Sequence, residues 1–179
     1  MKQLKMLALS GSLRRDSYNS AALRALQLLA PAAIDIRVGD IGGLPLFNPD
    51  REDEAIAAVA ELKADLALCD GLVIASPEYA HGISGPMKNA LDWLVSGTEF
   101  PSKPIMLINT SPRAHHALDA LKEVLATMSG TLFEEAFVSI PLLGSGLDSA
   151  TIATDSLCAE QLCRGLQAFA AAIRTLQSG

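Results

Sequence analysis

The chain is poor in aromatic and charged residues. Aromatic side chains make up only 4% of its 179 residues, so the core has to be built mainly from Ala, Leu, Ile and Val. Charged residues account for 19% and apolar residues for 50%, which excludes a disordered chain and favours a compact globular one. This length is typical of one domain, and we expect residues 1–179 to form a single domain with a real hydrophobic core.

Cysteine is scarce as well, and its spacing excludes two kinds of site. Cys69, Cys158 and Cys163 are odd in number and form no C-x-x-C pair, so no disulfide framework is expected. The favoured interpretation is three buried thiols in a reducing compartment. The three histidines have no ligand-like spacing to cysteines or carboxylates, and we expect no bound metal.

The chain also lacks a basic cluster and a long apolar run. Its net charge of −6 argues against nucleic acid or an anionic membrane as a partner. No apolar segment is long enough and free enough of charge to span a bilayer. The apolar run near the N-terminus ends at the polar stretch Ser10–Arg15, too early for the apolar region of a signal peptide. We therefore expect a cytoplasmic protein.

Apolar runs bounded by turn residues alternate with segments of helical periodicity. The predicted strands are Lys5–Leu9, Ile34–Val38, Leu72–Ala75, Pro104–Asn109 and a fifth held within Leu132–Phe133 and Ala136–Ile140. The predicted helices are Asn19–Ala30, Glu54–Leu68, Pro86–Ser96, Ala114–Met128 and Asp155–Leu176. The second strand alternates apolar and polar residues as an edge strand does, whereas the third is apolar throughout. This order predicts an α/β fold with a three-layer, doubly wound, five-stranded parallel sheet in the order 2-1-3-4-5.

The first candidate site is the stretch Ser10–Ser20, between the first strand and the first helix. It holds several Ser, an Asn and two Arg where free backbone N–H groups and the helix dipole favour a phosphate. The alternative is that Ser17 or Asn19 merely caps the helix. Capping accounts for one such residue but not for the whole set. The stretch has neither the Gly-Lys-Ser/Thr of a Walker A loop nor G-x-G-x-x-G, so the expected ligand is a monophosphate.

The second candidate site is the loop Pro77–Gly85, which follows the third strand. In a sheet of this order the first and third strands are neighbours at the switch point, so the two loops flank one crevice. Gly82 and Gly85 allow close backbone approach, and a flat, amphipathic ring fits a loop that offers backbone N–H and C=O groups. For Glu78 the alternative is a solvated or helix-paired carboxylate, and for Asn89 an ordinary helix surface. Trp93 is expected to anchor the core.

The third candidate site, Asn109–His116, follows the fourth strand and closes the same crevice. Its pair His115 and His116 is better explained as exposed loop residues at a helix start than as catalytic groups. No Ser/His/Asp or Cys/His triad can be assembled. That absence suits a cofactor enzyme, in which the protein supplies position and electrostatics.

In these motifs the chain resembles the NADPH-dependent FMN reductase family, and the resemblance extends over nearly its whole length. The resemblance rests on Gly11-Ser12-Leu13-Arg14 with Ser17 and Asn19, on Pro77-Glu78-Tyr79, and on Lys88-Asn89-Ala90-Leu91-Asp92-Trp93. The family includes flavin, quinone, chromate and azo reductases. It implies a flavodoxin-like fold, bound FMN, and NADPH or NADH as the hydride donor.

The resemblance also implies which residues hold the cofactor. Ser12, Arg14, Ser17 and Asn19 would hold the phosphate, and Tyr18 is a further cofactor-binding candidate. Pro77, Glu78, Tyr79 and Ala80 would meet the isoalloxazine, largely through backbone atoms, and Ser111 would lie near the ring or the ribityl chain. Family members are usually dimers or tetramers, which makes Leu46, Phe47 and the helix from Pro86 candidate interface residues.

Two departures from the family pattern concern the ring side of this site. Many members have Asn where this chain has Ala80, and a Gly-rich loop where it has Arg113, His115 and His116. The expected activity is an FMN-dependent NAD(P)H oxidoreductase that reduces a flavin, quinone, azo compound or metal oxyanion. The alternatives are a flavodoxin-like electron carrier without hydride chemistry, and a protein that has kept the fold and lost the flavin.

Overall fold

The computed structural model describes residues 2–113 and 115–178, and a parallel sheet forms its centre. In chain order the strands are β1 (Leu4–Ser10), β2 (Ile34–Gly39), β3 (Gly71–Ala75), β4 (Glu78–Tyr79), β5 (Gly82–Ile83), β6 (Pro104–Asn109), β7 (Thr131–Leu132) and β8 (Val138–Ser139). The sheet runs β2-β1-β3-β6, and both β7 and β8 pair with β6 in parallel. With β7 and β8 as its fifth strand, the predicted order 2-1-3-4-5 is confirmed.

Helices cover both faces of this sheet and complete the predicted three layers. They are α1 (Tyr18–Leu29), α2 (Ala57–Leu68), α3 (Gly85–Leu94), α4 (His116–Thr127), α5 (Ser149–Thr154) and α6 (Ser156–Ser178). One core cluster joins α1, α5 and α6 to the sheet, and the other joins α2, α3 and α4 to its opposite face. Each fully buried Leu or Ile in these clusters stabilises the fold by about 1.5–3 kcal/mol.

The pattern of burial along the strands explains their places in the sheet. Every residue of β3 is buried, because β1 and β6 flank it and helices cover both of its faces. In β2 the first four residues alternate between buried and exposed, and among the described strands β2 pairs with β1 alone. The predictions of a buried third strand and an alternating edge strand are therefore confirmed.

Local signals set the ends of the helices that flank the candidate site. Ser17 caps α1, and α1 ends before Pro31, which disfavours helical backbone at the residue preceding it. Ser84 caps α3 by accepting a hydrogen bond from the backbone N–H of Met87, with Pro86 in the first turn. The predicted start of α4 at Ala114 lies outside the described residues.

Three elements differ from the sequence prediction. The predicted loop after β3 contains a hairpin, β4–β5, and the fifth strand is divided by a 3-10 turn at Glu134–Ala136. The long C-terminal helix is preceded by the separate short helix α5, which Asp148 caps. The second helix begins at Ala57 and not at Glu54, because Pro49–Arg51 forms a 3-10 turn before it.

The three cysteine thiols differ in burial. Cys69 is buried, which raises the pKa of its thiol, and desolvation together with Asp155 raises the pKa of Cys158 to about 11. Cys158 and Cys163 are only partly buried, so the prediction that all three thiols are buried holds for Cys69 alone.

Within residues 2–113 and 115–178, no helix has the length and apolar character needed to cross a membrane.

Helix α6 packs on the sheet through Gly165, and this contact gives a stability prediction. A Cβ at Gly165 would lie 2.3 Å from Cγ2 of Val138 and 3.1 Å from the carbonyl oxygen of Ala136. Gly165→Ala is therefore expected to destabilise the protein by about 1–3 kcal/mol in urea unfolding, although Ala favours helix. Gln167→Ala, at an exposed position of the same helix, is the control. A Gly165→Ala variant more stable than the parent would contradict this packing.

Candidate functional site

One crevice at the carboxyl edge of the sheet collects the three predicted loops. It has a volume of about 200 Å³ and is lined by residues that follow β1, β3 and β6. Nine of the ten predicted site residues line it: Ser12, Arg14, Ser17, Tyr18, Asn19, Pro77, Glu78, Tyr79 and Ser111. Ala80 is the exception, because it lies in the exposed turn of the β4–β5 hairpin.

The loops after β1 and β3 are held together by buried hydrogen bonds. The backbone N–H of Gly11 donates to the carbonyl of Ala75 at 2.8 Å, and the hydroxyl of Ser84 donates to the carbonyl of Gly11 at 2.6 Å. A Cβ at Gly11 would lie 2.3 Å from Oγ of Ser76 and 2.8 Å from Oγ of Ser84. Only glycine therefore permits this approach.

The N-terminus of α1 opens into the crevice with unsatisfied donors. Ser17 is its N-cap, and its hydroxyl accepts a hydrogen bond from the backbone N–H of Ser20. In the described part of the chain, the backbone N–H groups of Tyr18 and Asn19 have no acceptor. The first turn also carries no acidic side chain. Free N–H groups and the positive end of a helix dipole together form an anion site.

The side chains of Tyr18 and Asn19 are engaged in holding the fold. The hydroxyl oxygen of Tyr18 accepts a hydrogen bond from the backbone N–H of Gly146 at 2.9 Å. Oδ1 of Asn19 accepts one from the hydroxyl of Thr110 at 3.1 Å, which ties α1 to the loop after β6. These two residues therefore face a ligand mainly through backbone N–H groups.

Glu78 caps a second helix from a distance along the chain. Its Oε2 accepts a hydrogen bond at 2.9 Å from the backbone N–H of Ala117, in the first turn of α4. This is the helix-paired carboxylate that the sequence left as one alternative. The contact fixes the β4–β5 hairpin against α4 and occupies that helix N-terminus with a negative charge. An anionic ligand is therefore directed to α1 and not to α4.

The turn of the hairpin is strained at two residues. Ala80 has φ +49° and His81 has φ +59°, and together they form the two-residue turn between β4 and β5. This left-handed backbone is typical of the hairpin turns that favour Asn and Gly. The side chain of Ala80 therefore affects the cost of the turn and makes no contact in the crevice.

Three imidazole rings stack beside this turn. The ring centroids of His81 and His116 are 4.4 Å apart, and those of His115 and His116 are 4.1 Å apart. His115 and His116 are exposed at the start of α4, as expected from the sequence. Among the described residues, no group of three His, Cys, Asp or Glu is arranged to hold a metal ion.

Two residues of α3 that do not line the crevice hold the loop after β2 in place. Nδ2 of Asn89 and Nε1 of Trp93 both donate to the carbonyl of Pro45, and Oδ1 of Asn89 accepts from the backbone N–H of Phe47. Trp93 is fully buried, which confirms it as a core anchor. The interpretation of Asn89 as ordinary helix surface is wrong, because it holds the loop after β2 against α3.

Several lining residues were not singled out from the sequence. The floor of the crevice is apolar, and Leu143 comes from the loop after the fifth strand. Leu143 could have been predicted from its position after the carboxyl end of a parallel strand, where ligands bind in such sheets. The floor residues belong to β3, β6 and α4 and have the pattern of ordinary core: Ile74, Leu107, Leu118 and Leu121. Asp16 also lines the crevice, as an exposed carboxylate in the first loop.

These features fit FMN. The open N-terminus of α1 and the guanidinium of Arg14, which has no carboxylate within ion-pair distance in the described chain, suit its phosphate. The apolar floor and the adjoining backbone of residues 77–79 suit an amphipathic ring system. Both parts belong to one crevice, as a ligand with a phosphate at one end and a ring at the other requires.

Comparison with known proteins agrees with this geometry. Residues 4–142 match the family model of NADPH-dependent FMN reductase. An NAD(P)H-dependent FMN reductase of Pseudomonas aeruginosa is 31% identical over 97% of each chain. A 2-hydroxy-1,4-benzoquinone reductase of a Burkholderia species is 40% identical over 111 residues, which are 60% of this chain and 61% of the relative.

A solved structure agrees as well. The flavoenzyme NAD(P)H:(acceptor) oxidoreductase FerB of Paracoccus denitrificans superimposes with a TM-score of 0.78 at 27% identity, covering 96% of this chain and 98% of FerB. The chain therefore belongs to the NADPH-dependent FMN reductase family. It is an oxidoreductase that uses FMN and NAD(P)H.

The strained turn gives a prediction for Ala80. Ala80→Asn is expected to stabilise the cofactor-free protein by about 1 kcal/mol, because Asn tolerates the left-handed backbone that costs Ala about 1–2 kcal/mol. Urea unfolding measures this difference. Ala55→Asn, at an exposed loop position without a positive φ, is the matched control. Equal stabilities of Ala80→Asn and the parent would show that the turn carries no such strain.

Proposed function

We propose that this family member holds FMN in the crevice between its three loops and passes electrons from NAD(P)H to a quinone. The observation that carries the proposal is the pair of backbone N–H groups of Tyr18 and Asn19, which have no acceptor in the described chain and face the same crevice as the apolar floor and the loop after β3. When bound, FMN supplies the redox chemistry: it takes a hydride from the nicotinamide and delivers two electrons to the acceptor.

At the phosphate end the chain supplies charge and hydrogen-bond donors. The backbone N–H groups of Tyr18 and Asn19 and the hydroxyl of Ser17 would donate to the phosphate oxygens. Ser12 and Arg14 would complete the site, since both line the crevice there. Charge-assisted hydrogen bonds of this kind are roughly twice as strong as neutral ones.

At the ring end the chain supplies shape. Pro77, Glu78 and Tyr79 would lie along one edge of the ring, held by the bond from Glu78 to α4. Ser111 would lie near the ring or the ribityl chain. Ala80 would act through the hairpin turn and not through a ligand contact. The apolar floor would exclude water from one face of the ring, so NAD(P)H and the acceptor would use the other face in turn.

A quinone is the acceptor we propose among flavin, quinone, azo compound and metal oxyanion. A flat, largely apolar quinone can stack on the ring face that NAD(P)H has vacated. A relative that is 40% identical over 111 residues is named a 2-hydroxy-1,4-benzoquinone reductase, which supports the same acceptor class.

We also propose that residues 1–179 act as one domain within a homodimer or homotetramer. Three large apolar side chains near the crevice and α3 are exposed: Leu46 at 84%, Val95 at 61% and Tyr79 at 50%. Contiguous exposed apolar side chains mark interaction surfaces, and Leu46 lies in the loop after β2 that is held against α3. Asn89 and Trp93 fix the loop that carries Leu46, so Leu46, Phe47 and α3 would form a preorganised contact.

Anaerobic spectroscopy on the FMN-loaded protein tests this function. NADPH or NADH is expected to bleach the visible absorption of the flavin, and 1,4-benzoquinone is expected to restore it with one equivalent per flavin. An azo dye, free flavin or chromate that restored it faster than benzoquinone would replace the quinone as acceptor. Failure of both nicotinamide nucleotides to bleach the flavin would leave an electron carrier as the function.

A substitution at Ser17 tests the phosphate end separately. Asp caps a helix as well as Ser does, so Ser17→Asp is expected to keep the fold while it sets a carboxylate against the phosphate. Such like-charge contact costs several kcal/mol, so FMN affinity should fall at least about 100-fold. Ser17→Asn is the uncharged control, and riboflavin, which has no phosphate, should bind Ser17→Asp as it binds the parent. Unchanged FMN affinity in Ser17→Asp would remove Ser17 from the phosphate site.

A further inference from the structure

A second cavity adjoins the phosphate end of the crevice. It is a groove of about 530 Å³ between the loop after β1, α1 and the end of β2. Ser12 and Arg14 line both the groove and the crevice. The remaining lining residues are Ser10, Leu13, Arg15, Ser20, Arg24, Val38, Gly39, Asp40 and Ile41. The groove therefore begins where the phosphate of a bound FMN would end.

The groove is strongly basic in an acidic chain. Arg14, Arg15 and Arg24 all line it, and none has a carboxylate within ion-pair distance among the described residues. Arg37 pairs with Glu61 and Arg51 with Glu54, whereas the three arginines of the groove lie around one concave surface without such a partner in the described chain. Three unpaired guanidinium groups around one groove attract a second phosphate, for which arginine is suited by its fork of donors.

An acidic residue lies at the far side of the groove. Asp40 directly follows β2, and β2 pairs with β1 in parallel register. Oδ1 of Asp40 accepts a hydrogen bond from the backbone N–H of Gly42, which fixes the position of its carboxylate. In dinucleotide-binding sheets, an acidic residue about 20 residues beyond the phosphate loop accepts from a ribose hydroxyl. A nucleoside that extends from the phosphate across the ends of β1 and β2 would meet Asp40 in this way.

We propose that this groove binds the adenylate half of FAD, so that the site accepts FAD as well as FMN. The inference rests on the proposed function, because it requires the flavin phosphate at the N-terminus of α1. The second phosphate lies among Arg14, Arg15 and Arg24, and the ribose lies against Asp40. The isoalloxazine stays in the crevice with either nucleotide.

The test is a pair of titrations of the cofactor-free protein, with FMN and with FAD, followed by quenching of flavin fluorescence or by calorimetry. FAD is expected to bind the parent at least as tightly as FMN does. Arg24→Gln should weaken FAD about tenfold and leave FMN unchanged, because Arg24 lines the groove but not the crevice. Arg164→Gln removes the same charge from the exposed face of α6 and should affect neither flavin. Equal melting temperatures of the variants and the parent confirm that the fold is intact.

Three results separate failure of this inference from failure of the proposed function. If neither flavin binds, the FMN site itself is refuted. If FMN binds but FAD binds more than tenfold more weakly, or if Arg24→Gln leaves the affinity for FAD unchanged, the groove does not hold the adenylate half. If Arg24→Gln weakens NADPH binding to the FMN-loaded protein and spares FAD, the groove serves the nicotinamide nucleotide and the inference is overturned.

Discussion

The candidate site depends on how closely the loop after β1 approaches the loop after β3. Gly11 bonds to Ala75 and receives the hydroxyl of Ser84, and its missing side chain leaves room for both contacts. Because β1 and β3 pair in parallel, their carboxyl ends meet at one edge of the sheet. This approach sets the N-terminus of α1 beside the backbone of residues 77–79, and the crevice forms between them.

Electrostatics then distinguishes the helices around the crevice. The carboxylate of Glu78 occupies the N-terminus of α4, whereas α1 has the neutral cap Ser17 and keeps two N–H groups without acceptors in the described chain. The carboxylate of Glu78 thus caps α4 and also fixes the hairpin that would border the flavin ring. The positive end of α1 lies near Arg14, Arg15 and Arg24, which have no ion-pair partner among the described residues, in a chain of net charge −6. This arrangement favours an anion at the N-terminus of α1.

Periodicity and strand ends predicted the sheet order and the loops that meet at its edge, because these follow from local pattern and parallel topology. The hairpin could not be predicted, since Ala80 and His81 are not the residues that favour its turn. The contact of Glu78 with Ala117 spans 39 residues, and that of Asn89 with Pro45 spans 44. Such side-chain contacts leave no periodic signal, so the sequence indicated which loops form the site but not what holds them.

Amide chemical shifts of the isotope-labelled, cofactor-free protein test the central claim, that α1 holds the flavin phosphate. Spectra with saturating FMN are compared with spectra with saturating riboflavin, which differs only by the phosphate. The account predicts that both ligands shift the amides of Glu78, Tyr79 and Ser111, and that FMN alone strongly shifts those of Tyr18 and Asn19. Equal shifts of Tyr18 and Asn19 with the two ligands would contradict it.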